Sequence, residues 1–208
     1  QRYATPAEFL HDLSRIGKPV AHPEHDIITR IKVGNEQASA AMRSKGMLPH
    51  SDGTFSQRPD VVALYVYRQG SSGGESTFTN TDAVLENAPQ TFIEVLLEAQ
   101  FRFSRSQHSD YNETLNETKP LLYERGDGSK GLEWRYDDLV QPELVFSKRP
   151  LLAAKALAWL KKRVEDAPKV YMRVEAGSVV ILEQGYWLHG RTEITGQREL
   201  WRSWVNAP

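Results

Sequence analysis

Cysteine is absent from the chain, and with it go disulfides, thiol catalysis, iron–sulfur clusters and thiolate zinc sites. Any metal must be held by histidine and carboxylate. Net charge is nearly absent as well: 26 Lys and Arg stand against 27 Asp and Glu, a balance of -1. That balance gives no electrostatic ground for a nucleic-acid partner or an anionic membrane surface. A small-molecule ligand fits better. No run approaches the roughly 18 apolar residues of a membrane span. The opening QRYATPAEFL has no basic stretch leading into an apolar one, so a cytoplasmic protein is expected.

What is present is ordinary for a globular protein. The 208 residues are 39% hydrophobic and 25% charged, enough for one sizeable core and one domain over residues 1–208. Thr5, Pro6 and Glu8 form a capping box with a first-turn proline, predicting a helix that ends at Gly17. Val61 to Tyr67 is β-prone and almost wholly apolar, as a strand buried on both faces requires. Arg149 to Asp166 predicts the longest helix, with Leu152, Ala156, Leu157 and Leu160 on one face. The polar stretch from Gln107 to Asp138 lies between other elements and reads either as a solvated hairpin or as a loop covering a site. Short strands at both ends with helices inserted predict an α+β, mainly β protein built around a β-sandwich or barrel.

Chemistry begins at LPHSDGTF. On an extended segment residues i and i+2 point the same way, so His50 and Asp52 can offer a nitrogen and an oxygen to one ion. The pattern alone is weak, because His22-Pro23-Glu24 repeats it in a polar link. A third ligand is needed, and His189 in YWLHGRTEITG is the best placed of the remaining histidines: His11 falls in a helix pattern, His25 in the link and His108 in a loop. Two imidazoles and one carboxylate leave coordination positions open, which suits a non-haem Fe(II) oxygenase and equally a hydrolytic zinc centre. Arg198 and Arg202, four apart in RELWRSWV, share one side of a strand with Leu200. Facing inward they need anions; on an edge strand they would face solvent.

Three stretches, LPHSDGTF, SGGESTFTNTDAVLENAP and LHGRTEITGQRELWR, in that order, resemble the Fe(II)/2-oxoglutarate-dependent oxygenases of the taurine dioxygenase and clavaminate synthase type, including carbapenem synthase. The resemblance runs from about Lys18 to Val205. It implies a double-stranded β-helix, or jelly roll, with flanking helices, holding Fe(II) in its mouth. His50, Asp52 and His189 match the family's metal ligands, and Arg198 the arginine that pairs with the distal carboxylate of 2-oxoglutarate. Ser76 stands where a threonine helps bind that cosubstrate, with Thr77 the alternative if the register slips by one. Arg202 falls where members contact the anionic group of the substrate.

The resemblance further implies that O2 and 2-oxoglutarate are consumed, succinate and CO2 are released, and a C–H bond of a small, amino-acid-like molecule is oxidised. Halogenating members carry a small residue in place of Asp52, so hydroxylation, desaturation or cyclisation is implied instead. Glu183-Gln184-Gly185 departs from the D-N-R common before the distal histidine, and the spacing from His189 to Arg198 is short, which leaves Arg202 as the second candidate for 2-oxoglutarate. Residues 35–47 and 107–138 are the expected covering loops, with Glu133, Arg135, Asp137 and Asp138 as candidate substrate contacts and Trp134 and Tyr136 as core. A zinc hydrolase and a metal-free binding module are the alternative functions.

Overall fold

The chain is described by a computed structural model covering residues 3–22, 26–34, 40–55, 58–105, 118–138 and 140–207. Thr5 accepts a hydrogen bond from the Glu8 N–H at 3.3 Å, and Pro6 opens helix α1 (Pro6–Leu13), as capping chemistry requires. Glu8 reaches back to the Ala4 N–H at 2.8 Å rather than to the cap itself. The helix stops before Gly17, which serves packing instead: a Cβ there would lie 2.3 Å from the Asn206 carbonyl oxygen.

Strands β1 (Lys18–Val20), β2 (Thr29–Lys32), β3 (Met47–His50), β4 (Val61–Arg68), β5 (Ser72–Gly73) and β6 (Ser76–Asn80) follow in order. Helices α2 (Thr81–Leu85) and α3 (Gln90–Leu96) come next, then β7 (Phe101–Arg105), β8 (Leu122–Glu124), β9 (Lys130–Leu132) and β10 (Val140–Leu144). Helix α4 (Pro150–Asp166) leads into β11 (Lys169–Met172), β12 (Val179–Glu183), β13 (Trp187–Arg191), β14 (Ile194–Thr195) and β15 (Glu199–Asn206).

The strands build two principal antiparallel sheets. One runs β1-β15-β4-β12 with β2 also on β15; the other runs β11-β6-β13-β3. Strand β15 has neighbours on both sides, so its arginines are not on an edge. Alternation along β15 divides its side chains. Trp201 and Val205 face α1, in a core with Phe9, Leu13, Ala63 and Tyr65. Arg202 and Trp204 turn inward, where both meet Asp52. On β13, Leu188 joins the helix-side core while His189 faces the interior. The result is the double-stranded β-helix that the motifs imply, with helices outside and a polar site between the sheets.

The larger core lies under α2, α3 and α4, where Ala153, Ala156, Leu160 and Val164 are buried and Leu152 and Leu157 pack at the margin. The β8–β9 hairpin belongs to it: Leu121, Leu122 and Leu132 are wholly buried and Trp134 nearly so, which excludes a solvated hairpin. Tyr136 stacks on Trp134 at 6.0 Å. Strand β10, VQPEL, carries little strand signature because Pro142 removes a donor, and it pairs with β7 in a two-stranded ribbon.

Candidate metal centre

His50 and His189 are direct cross-strand partners on β3 and β13. Their rings lie 4.4 Å apart between centroids. The ladder beside them is irregular: His189 opposes His50, but Arg191 opposes Met47, so β3 carries one extra residue across this interval. Pro49, which has no N–H to leave unpaired, falls inside that bulge. The carbonyl of Leu48 is turned to His50 and accepts from Nδ1 at 2.9 Å. A carbonyl can only accept, so the proton sits on Nδ1 and the Nε2 lone pair is free for an ion.

Ser51 points to the other side of the segment, where its N–H donates to the Trp134 carbonyl at 2.8 Å and its hydroxyl accepts from the Trp134 N–H at 2.9 Å. The strand alternation and this clamp bring Asp52 back to the side of His50. Asp52 Oδ1 lies 4.0 Å from Nε2 of both histidines. The three donor atoms lie within 4.8 Å of one another, and all three residues are buried. Three donors each about 2.1 Å from one ion and grouped on one side of it stand about 3 Å apart, so side-chain movements of roughly an ångström close the set onto an ion. The donor set therefore fits a metal.

The protonation states agree. Burial, the adjacent His189 and Arg135 push the His50 imidazole down to about 3, against a smaller opposite pull from Asp52. Burial likewise lowers His189. Burial alone would raise the Asp52 carboxyl, but Arg202, the imidazoles and the Trp204 N–H outweigh it and hold the group below the usual carboxylate range. At neutral pH the centre is two neutral imidazoles and one carboxylate.

Arg198 is 3% exposed, and its Nε and Nη1 have no hydrogen-bond partner among the described residues. Burial, with Arg191 and Arg173 nearby, pushes it down to about 10. An uncompensated buried cation costs on the order of several kcal/mol, so this guanidinium calls for an anion to neutralise it. Ser76 pairs in register with Arg191 two residues beyond His189, on the same inward face. Thr77 instead opposes Gly190, whose Cβ would lie 2.8 Å from Thr77 Oγ1, on the outward face. The structure thus separates the two: Ser76 faces the site and Thr77 does not. Arg202, expected to meet the substrate, is paired with Asp52, its Nη1 3.3 Å from Oδ1 and 3.1 Å from Oδ2.

His22 does not approach the ion site as a ligand; its ring packs on Trp204 at 4.4 Å. Pro23, Glu24, His25 and His108 lie outside the described residues, as do parts of both expected covering loops. The described parts of those loops touch: Asp138 sits 3.5 Å from Arg43 and 3.6 Å from Lys45. Glu133 is buried against Lys119 at 3.0 Å, and Asp137 accepts from the Val140 N–H and from Arg135. Arg135 lies close enough to depress both imidazoles. Two contributors escape the sequence motifs. Ser51 looks like a spacer within H-x-D, and Trp204 looks like core, although its place two residues beyond Arg202 puts it on the inward face.

The profile of the family described as "Taurine catabolism dioxygenase TauD, TfdA family" matches residues 4–204. No curated protein matches the chain. Among solved structures, an asparagine oxygenase in complex with Fe(II), 2S,3S-3-hydroxyasparagine and succinate is 23% identical with a TM-score of 0.77, covering 99% of this chain and 66% of that one. The non-haem iron oxygenase OrfP, in complex with Fe, succinate and (3R,4R)-dihydroxy-L-Arg, is 18% identical with a TM-score of 0.75, covering 100% and 70%. The PvcB protein from Pseudomonas aeruginosa is 17% identical with a TM-score of 0.63, covering 99% and 72%. The chain therefore spans about two thirds of the length of the structures it matches.

Proposed function

We propose, because the chain belongs to the TauD/TfdA dioxygenase family, that it is the oxygenase domain of an Fe(II)- and 2-oxoglutarate-dependent enzyme acting on a small molecule. His50 and His189 would hold Fe(II) through neutral imidazole nitrogens and Asp52 through a carboxylate oxygen. The observation that carries the reading is Arg198, a buried guanidinium with unpartnered nitrogens, beside the inward face that holds the three donors. It supports a dianionic cosubstrate, one carboxylate of which Arg198 would pair. Ser76 offers a hydroxyl on the same face.

When bound, Fe(II) and 2-oxoglutarate supply the oxidising power: O2 is consumed, succinate and CO2 leave, and a C–H bond of the substrate is oxidised. The chain's own share is placement. Leu48 fixes the His50 tautomer, Ser51 and Trp134 lock the segment between the ligands, and the sheets exclude water from the donors. Asp52 fills the third ligand position, which supports hydroxylation, desaturation or cyclisation over halogenation. Amino-acid-like substrates with an anionic group are the class we assign, by likeness to the asparagine oxygenase and OrfP complexes.

Addition of Fe(II) and 2-oxoglutarate without oxygen should give a weak visible charge-transfer band that His50→Ala abolishes. Failure to bind Fe(II), or hydrolytic turnover with zinc and no need for oxygen, refutes the reading. A hydrolytic zinc centre would also leave Arg198 without a role.

A further inference from the structure

The two oxygens of Asp52 are not equivalent. Oδ1 stands 4.0 Å from both imidazole Nε2 atoms and, among the described residues, accepts only from Arg202 Nη1, at 3.3 Å. Oδ2 accepts from the Trp204 indole N–H at 2.9 Å and lies 3.1 Å from Arg202 Nη1. The two donors differ in kind. An arginine is long, mobile and charged, and can exchange one anion for another. An indole N–H is neutral, does not titrate, and donates one bond in one direction.

Trp204 is also the better anchored of the two. It is 4% exposed, its backbone is in register with Val20 of β1 on one side and Val62 of β4 on the other, and its ring is packed by His22 at 4.4 Å. The N–H is thus aimed by a strand held on both sides and by a ring that cannot turn freely.

We infer that Trp204 is a positioning residue for the metal centre: its indole N–H occupies Oδ2 of Asp52, so that the carboxylate presents Oδ1 alone to the ion. A carboxylate free to rotate can close on an ion through both oxygens and take a second coordination position. One pinned through Oδ2 takes a single position and leaves the rest of the ion's face for the cosubstrate and O2. The inference rests on the metal reading proposed above, and its test separates the two.

Trp204→Phe keeps the aromatic ring and deletes the N–H. Co(II) and Mn(II) titrations of the wild type and the variant, each followed by the Co(II) visible absorption spectrum, read affinity and coordination without turnover. Trp201→Phe is the control: that tryptophan is equally buried but faces the α1 side, with its N–H on Glu199 at 3.2 Å. The expected result is a loss of about 10- to 100-fold in metal affinity for Trp204→Phe, with a changed Co(II) spectrum, and no change in either for Trp201→Phe. If Trp204→Phe does not fold, 3-benzothienylalanine at position 204 replaces N–H by sulfur in a ring of nearly the same shape and carries the same expectation. Wild-type affinity and spectrum in the variant that lacks the N–H overturn the inference while leaving the metal reading intact. An equal loss in Trp201→Phe overturns it too, by assigning the effect to packing. A wild type that binds neither ion overturns both.

Discussion

Arg198 can be tested in two directions at once. Replacing it by Met, an apolar side chain of similar reach, removes a buried unpartnered charge and should stabilise the ligand-free protein by about 1–3 kcal/mol in a urea titration. The same variant should lose 2-oxoglutarate binding at least 100-fold by calorimetry. Loss of stability with binding retained would show that Arg198 serves the fold. His50 gives a pH prediction for the metal-free protein. Its ring is pushed down to about 3 from an ordinary 6.5, so between those values the unfolded chain takes up a proton that the folded chain refuses. The ring's contribution is complete above about pH 6.5 and falls by up to about 1.4 kcal/mol per pH unit on acidification. Between pH 7 and 5 the wild type should lose about 2 kcal/mol more than His50→Gln, and equal losses in denaturant titrations would refute the burial argument. The three donors that the structure brings together were legible in the sequence because the H-x-D pair and the histidine before a turn each keep a local signature. The partners were less so, because Trp204 and Ser51 act through tertiary hydrogen bonds that residue type alone does not announce.

At the level of elements, the site depends on how closely β13 approaches its neighbours. A Cβ at Gly190 would lie 2.5 Å from the Met47 carbonyl oxygen and 2.8 Å from Thr77 Oγ1. Gly190→Ala should therefore cost about 1–3 kcal/mol by overpacking and weaken Mn(II) binding, because β3, which carries His50, is the strand pushed away. Unchanged metal affinity would mean that the strands yield elsewhere. The bulge at Leu48 and Pro49 acts as a register lock. A slip of one residue along β3 would present Ser51 to the ion and turn both ligands outward. Deleting Leu48 should thus abolish Mn(II) binding, while Leu48→Ala, on a side chain that is 58% exposed, should leave it nearly intact. Elements with strong apolar periodicity, such as β4 and α4, follow from the sequence. The β8–β9 hairpin does not, because its polar flanks mask Leu121, Leu122, Leu132 and Trp134, and β10 does not because of Pro142.

Across the whole molecule, the apolar mass and the chemistry are kept apart. Leu160 is wholly buried in the helix-side core, far in topology from the inward faces that hold the ligands. Leu160→Ala should cost about 2–5 kcal/mol yet leave the charge-transfer band of the folded fraction unshifted; a shifted band would mean that the core sets the ligand geometry. The jelly roll also explains how candidate ligands so distant in the chain come together: β3 and the segment just after it supply His50 and Asp52, β13 supplies His189, and β15 the partners of Asp52. That ordering has a consequence for the growing chain. A polypeptide emerging from the ribosome displays His50 and Asp52 early, but β6, β13, β3 and β15 can assemble only after His189 and Trp204 have appeared. On the proposed reading, the three candidate ligands therefore converge only after nearly all of this stretch has been synthesised.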